Sequence, residues 1–408
     1  VGVRGRQDVE VISAERLAAT ADLPAPLMAV DLDAFDANAA ELLRRAHGRP
    51  VRLATKSVRV PALVERALSA GFSGLMAYSV REALWWAGRG ADDVLLGYPS
   101  VDVGALTALS RDVAARGVVT VMVDEVAHLD LVERVTREAG APEPVRVCLD
   151  VDSSLRVGPR WVGSRRVHLG VRRSPLREPA EVAALAQEAR RRGIPVRGLM
   201  FYEAQVAGLP DASAAVRAVK RASLAELRVR RGAVVAAVEE AVGHPLTLVN
   251  GGGTGSLART AADPAVTELT SGSGLLAPTL FDGYRLAPGE RRLRPAAFFG
   301  LDVVRRPAPG LVTVFSGGFL ASGPVGPSRT PTPVLPRGLR LTSAEGAGEV
   351  QTPLRGRAAD RLAVGDRVWF RHAKAGEVME RFADAVLLAA DGGREVVPTY
   401  RGAGLSFG

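Results

Sequence analysis

Val51-Arg52-Leu53-Ala54-Thr55-Lys56 reads as a short apolar strand that runs out onto a lysine. Lysine is scarce in this chain: of 53 basic residues only Lys56, Lys220 and Lys374 are lysines, so arginine serves wherever charge alone is needed. A guanidinium stays protonated and does not attack a carbonyl, whereas an amine can. A lysine kept at a strand end is therefore a candidate for covalent chemistry with an aldehyde. Burial would favour this further, because desolvation disfavours the ammonium and leaves the nucleophilic amine.

Outward from this strand the chain repeats one rhythm. From Pro26 to about Thr270 short apolar runs alternate with longer amphipathic stretches, as in successive βα units. Strands are expected at Leu27 to Leu32, Val51 to Ala54, Gly74 to Tyr78, Val94 to Leu96, Val119 to Val123, Val145 to Val151, Gly198 to Tyr202 and Leu246 to Val249. Helical spacing occupies Phe35 to His47, Val80 to Gly88 and Val126 to Ala139, and Pro61 opens a further helix running to Ala70. About eight such units fit a parallel barrel better than an open sheet. Lys56 then lies where a strand passes into its loop, the end at which such barrels carry their catalytic groups.

The pattern changes near Leu286, where proline and glycine become frequent and long helical stretches stop. Phe298 to Arg305, Leu311 to Ser316, Arg367 to Phe370 and Ala385 to Ala389 read as strands of a β domain. Pro324 to Pro336 reads as a loop, since proline interrupts ladder pairing. The division expected is an N-terminal segment at 1–25 packing on the β domain, a barrel at 26–285 and a β domain at 286–408.

Composition narrows the class. With 408 residues and 47% hydrophobic content the chain can bury a large core. No segment reads as transmembrane, and Val1 to Glu15 is charged throughout without an apolar core of signal-peptide length, so a cytoplasmic protein away from membranes is expected. The single Cys148 excludes an internal disulfide, and the five histidines are too scattered for a structural zinc site. The net charge of +9 is spread among acidic residues along helices such as Glu181 to Arg192 and comes with no recognition motif, which argues against nucleic acid.

A second chemical signal is Asn250-Gly251-Gly252-Gly253-Thr254-Gly255-Ser256, directly after an apolar strand. Glycine lets backbone approach a phosphate, and successive N–H groups, the Thr254 and Ser256 hydroxyls and a following helix N-terminus could hold a dianion. Ser271-Gly272-Ser273-Gly274 closes the next strand, so two glycine-rich turns would face one anion. No Walker lysine follows either turn, which argues against a nucleotide triphosphatase.

Together with Pro26 to Asp33, Val80-Arg81-Glu82-Ala83, Asp150 to Gly158, Gly198 to Gln205, Glu268 to Gly274 and Gly365 to His372, these segments resemble the pyridoxal-phosphate enzymes of the alanine racemase fold. The nearest branch is that of D-threonine aldolase and D-serine dehydratase. The resemblance covers most of the chain and implies a (β/α)8 TIM barrel of the alanine racemase type with a C-terminal β domain. It also implies pyridoxal 5'-phosphate as cofactor and Lys56 as the lysine joined to it. By position it gives Arg156 the cofactor's phenolic oxygen, makes Tyr202 a pocket tyrosine, and places Gly252, Gly253, Thr254 and Ser273 on the phosphate.

Two departures from the family pattern stand out. A histidine expected after Tyr202 is Glu203, and a second is Gln205. His372 matches the first ligand of a metal pair, but the second ligand is replaced by Lys374. A protonated lysine repels a divalent ion, so no metal site is expected. Lys374 would instead orient the substrate's β-hydroxyl, with His372 or Glu203 as base. The activity implied is cleavage or formation of the Cα–Cβ bond of a D-β-hydroxy amino acid, with an amino acid and an aldehyde as partners. A D-serine-type dehydratase giving ammonia and a 2-oxo acid is the alternative, followed by a non-enzymatic cofactor-binding protein. The resemblance also implies a homodimer.

Overall fold

A computed structural model describes residues 12–158, 167–324 and 326–408. The chain divides into two compact units: one of 42–55, 71–271 and 407–408, the other of residues up to Glu41 with 56–70 and 272–406.

The first unit is a closed parallel barrel. Its strands are β2 (Val51–Ala54), β3 (Leu75–Ala77), β4 (Val94–Pro99), β5 (Val119–Val123), β6 (Arg146–Asp150), β9 (Val196–Phe201), β10 (Leu248–Gly251) and β11 (Glu268–Ser271), in the order β10-β11-β2-β3-β4-β5-β6-β9. β7 (Leu155–Val157) and β8 (Val167–Leu169) form a separate antiparallel hairpin. Side chains alternate along a strand, so every second residue enters the barrel. Leu95, Met122, Cys148, Met200 and Leu248 meet there as an apolar layer.

Beneath that layer lies a charged one. Arg52, with no exposed side-chain surface, grips Glu268 with Nε at 2.7 Å and Nη2 at 2.8 Å, and Asp93 with Nη2 at 2.7 Å. It also donates to the Leu75 carbonyl at 3.0 Å. Arg197 reaches both oxygens of Asp93, at 2.6 and 2.7 Å, and Asn250 donates to Glu268 at 2.7 Å. Burial raises the Asp93 pKa, but the hydrogen bonds from Arg197 and Arg52 outweigh it and hold the carboxyl below its ordinary range.

The second unit is built on a nine-stranded sheet. Its strands are β1 (Leu27–Asp31), β12 (Ala297–Ala308), β13 (Leu311–Phe315), β14 (Thr332–Leu335), β15 (Arg340–Leu341), β16 (Gln351–Arg355), β17 (Arg367–Arg371), β18 (Asp384–Leu388) and β19 (Arg394–Pro398). β1 was expected to open the barrel; instead it lies between β12, antiparallel, and β18, parallel. All five of its residues are buried, and a strand covered on both faces reads alike in either setting. Within the expected proline-rich loop, β14 pairs with β17. Pro333 is tolerated there because β14 has a ladder on one side only, and the register shifts beside the proline.

The described part of the N-terminal segment packs on this sheet. Ile12 and Leu17 join Leu27, Ala29, Phe298, Trp369, Val386 and Leu388 in one apolar cluster, and Arg367 donates to the Thr20 and Leu23 carbonyls. Residues 1–11 of that segment lie outside the described residues. No described helix is long and apolar enough to cross a membrane.

Removing Arg52 would leave Glu268 and Asp93 buried without their shared cation. Arg52→Met should cost about 3–5 kcal/mol, read as a lower midpoint in equilibrium urea unfolding. Because the folded pKa of Asp93 is depressed, its contribution is present above its unfolded pKa and fades as pH falls below that value.

Candidate active site

The functional turns sit at the C-terminal strand ends. β10, β11 and β2 are consecutive in the barrel. The Gly252–Ser256 turn follows β10, Ser271 ends β11, and Lys56 stands two residues past β2 in a short 3-10 turn, Thr55–Ser57.

In the barrel unit the Thr254 and Ser271 hydroxyls lie 2.9 Å apart, so both predicted turns converge on one point. Gly253 is a place where only glycine fits: a Cβ there would meet the Ala207 methyl at 2.8 Å and the Tyr202 ring at 3.5 Å. Gly252 adopts φ +86°, a conformation that favours glycine. The helix after the turn, Leu257–Ala261, has five residues, so an anion held here would be met by N–H groups and hydroxyls rather than by a long helix dipole.

Glu203 has a different place from the one expected of a base. It is fully buried and its carboxylate is saturated by the turn. Oε2 accepts from Gly252 N at 3.2 Å, while Oε1 accepts from Ser256 Oγ at 2.9 Å and from Thr260 Oγ1. Arg231 Nη2 stands 3.7 Å away. These bonds also commit the Ser256 hydroxyl, which the sequence reading assigned to phosphate. Gln205 is turned to the Ser153 carbonyl, to which it donates at 2.7 Å.

Two arginines stand near these turns in the barrel unit. Arg156 Nη2 is bonded to Asp152 at 2.9 Å and lines a cavity of about 530 Å³ with Arg177, Glu226 and Arg230. The arginine stacked on Tyr202 is Arg173, 5.2 Å from that ring and 5.5 Å from the ring of Tyr98. Nothing in the sequence marks Arg173, since the fold brings its loop to the two tyrosines. Sequence reading also passed over Asp150, the last residue of β6. Its carboxyl is pushed up to about 7, first by burial and then by Asp124, against the opposing charge of Arg173. Asp124 follows β5, next to β6 in the barrel, and pairs with His128 at 3.1 Å.

In the second unit, Lys56 is framed by its own neighbours. Arg59 Nε donates to the Lys56 carbonyl at 3.2 Å, and the Ser57 and Ser273 hydroxyls are 3.1 Å apart. Gly376 rests directly on the Ser57 backbone, where any side chain would collide. The segment carrying His372 and Lys374 thus passes beside the lysine turn.

His372 is 2% exposed, and its pKa is pushed down to about 3, first by burial and then by Arg371. A neutral imidazole of so low a pKa is a weak base. Lys374 Nζ donates to the Ser322 carbonyl at 3.3 Å, and Glu377 accepts from Ser322 N at 3.0 Å, so this ammonium helps hold the 316–324 loop. Among the described residues no group of three or more His, Cys, Asp or Glu side chains could hold a metal ion.

The closed parallel barrel with loops at its strand ends defines the α/β-barrel class of fold. The model of the alanine racemase N-terminal domain matches residues 30–239, just over half of the chain, and the chain belongs to that family. Comparison with curated protein sequences gives no match. Solved structures with the same fold include a D-threonine aldolase from Filomicrobium marinum, at 21% identity and TM-score 0.76 over 94% of this chain and 97% of that one. Another is D-threo-3-hydroxyaspartate dehydratase from Delftia sp. HT23, at 21% identity and TM-score 0.72 over 93% and 98%. Alanine racemase of Clostridium difficile 630 in complex with cycloserine matches at 14% identity and TM-score 0.59 over 92% and 98%.

The depressed His372 pKa has a measurable consequence. The folded state binds fewer protons than the unfolded state between about pH 6.5 and 3, so stability should fall as pH is lowered through that window. The slope should reach at most about 1.4 kcal/mol per pH unit and flatten in His372→Phe, as read from urea midpoints at successive pH values.

Proposed function

We propose that this protein is a pyridoxal phosphate-dependent lyase that acts on D-configured β-hydroxy amino acids and makes or breaks the Cα–Cβ bond, with glycine or a related amino acid and an aldehyde on the other side. The observation that carries this reading is the consecutive placement of β10, β11 and β2. The first two end in converging Thr254 and Ser271 hydroxyls, and a lysine stands two residues past the third. The likeness to D-threonine aldolase over nearly the whole chain supports it.

The residues present fit the cofactor, because the Thr254 and Ser271 hydroxyls converge beside the glycine turn, a set of donors suited to a phosphate. Bound there, pyridoxal phosphate supplies an electron sink for charge developing at Cα. Lys56 provides the amine that holds its aldehyde, a task no arginine can perform. Backbone N–H groups from Gly253 onward, with the Thr254 and Ser271 hydroxyls, would bind the phosphate. Tyr202 positions the ring, with the Arg173 guanidinium stacked on its aromatic face. Asp150 takes the proton from the β-hydroxyl at its carboxyl, since a pKa near the working pH suits a general base, whereas His372 is pushed far below it and Glu203 is committed to the Gly252, Ser256 and Thr260 donors.

A dehydratase is the second reading, favoured by the likeness to D-threo-3-hydroxyaspartate dehydratase. Products separate the two. Incubation of the purified protein with D- and L-β-hydroxy amino acids should give glycine and an aldehyde from D-substrates, identified by mass spectrometry. Ammonia and a 2-oxo acid in their place would overturn the aldolase reading. Lys56→Ala should abolish both the visible absorption band and turnover, with the band remaining as a sign that another residue holds the cofactor.

A further inference from the structure

We propose that Glu203 is a positioning residue that shapes the Gly252–Ser256 turn into a receptor for a phosphate monoester, acting through the backbone rather than on substrate. The proposal rests on the cofactor reading above only for the identity of the ester.

A carboxylate buried just below an anion-binding turn is at first sight misplaced, because like charges repel in a low dielectric. Its bonds explain it. Three donors converge on Glu203: the Gly252 N–H, the Ser256 hydroxyl and the Thr260 hydroxyl. An ionised carboxylate is acceptor-only and has roughly four lone-pair sites, so it can satisfy all three. A glutamine in the same place would turn an NH₂ group toward donors and leave at least one unpaired.

The geometry this enforces is specific. Drawing the Gly252 N–H inward accompanies φ +86° at that residue, and drawing the Ser256 hydroxyl inward fixes the other end of the turn. The Gly253 and Gly255 N–H groups lie between these two fixed ends. Ser256 N returns to the Gly253 carbonyl at 2.9 Å, which tightens the loop. The charge is balanced from behind, where Arg231 stands 3.7 Å from Glu203, pairs with Asp263 and stacks on Phe201 at 5.1 Å. Because Glu203 directly follows Tyr202, the same anchor sets the tyrosine against Gly253.

The test compares ligands that differ only in the phosphate. Dissociation constants of pyridoxal phosphate, pyridoxal and inorganic phosphate are measured by fluorescence titration of the full-length wild type, Glu203→Gln and Thr260→Val. Thr260→Val keeps shape and removes one donor to Glu203, so it serves if Glu203→Gln does not fold. Expected are a loss of about 10- to 100-fold for pyridoxal phosphate and a parallel loss for inorganic phosphate in Glu203→Gln, with a smaller loss in Thr260→Val. Pyridoxal affinity should stay within about twofold.

Equal losses for pyridoxal and pyridoxal phosphate would overturn the proposal, as would unchanged phosphate affinity accompanied by a fall in kcat at saturating cofactor, the signature of a base. A wild type that binds phosphate-bearing and phosphate-free ligands alike would also overturn it. Wild-type protein that shows the phosphate dependence but no lyase products would sink the functional reading and leave this one standing.

Discussion

The barrel depends on one buried guanidinium. Arg52 on β2 reaches Glu268 on β11, its neighbour in the closed ring, and reaches past β3 to Asp93 at the foot of β4. Such an arrangement is expensive to desolvate and is not a source of net stability by itself. Its value is specificity: a strand slipped by one residue would turn Arg52 to the opposite face and strand three charges in an apolar interior. The same register brings the ends of β10, β11 and β2 side by side, so the position of the chemical groups at the mouth follows from a charge cluster at the base.

Along β6 the logic can be followed residue by residue. Arg146, Cys148 and Asp150 share one face by the two-residue period. Cys148 belongs to the apolar layer, so the barrel passes from charged to apolar to ionisable in three steps. The apolar layer separates the base cluster from the mouth, and Asp150 above it lacks the tight ion pairs that hold Asp93 ionised. Its elevated pKa therefore follows from where the period places it, one layer above a dry core beside a second carboxylate.

Much of this is written in the sequence, and the exceptions have identifiable causes. The barrel strands stand out because they are short buried runs flanked by amphipathic helices. Leu27–Asp31 is misplaced because burial on both faces erases the difference between a barrel strand and a central sheet strand. The 29-residue helix Ala214–Val242 escaped notice because its buried side carries Lys220, Arg230 and Arg231, which break the apolar periodicity that reveals a helix. The glycine turns were legible because glycine has few other uses directly after an apolar strand. Glu203, Arg173 and Asp150 were not, since what each does is decided by partners about 20 to 75 residues away.

The surroundings of Lys56 show what kind of precision the second unit supplies. A reactive amine contributes little if its backbone wanders, since small displacements of a reacting group cost heavily in rate. Here the turn is fixed from several directions. Arg59, at φ +57°, caps the Lys56 carbonyl and is itself anchored to Glu380, while its own carbonyl accepts from Tyr400 N. Ser57 is bonded to Ser273, and Gly376 presses on the Ser57 backbone. Arg371, next to His372, ties that segment to Asp282 and the Ala277 carbonyl. The segment from Arg371 to Gly376, which carries His372 and Lys374, thus acts on the Lys56 turn as a clamp. Burial keeps His372 neutral and Lys374 is engaged with the Ser322 carbonyl, so both are tied to the packing of this unit.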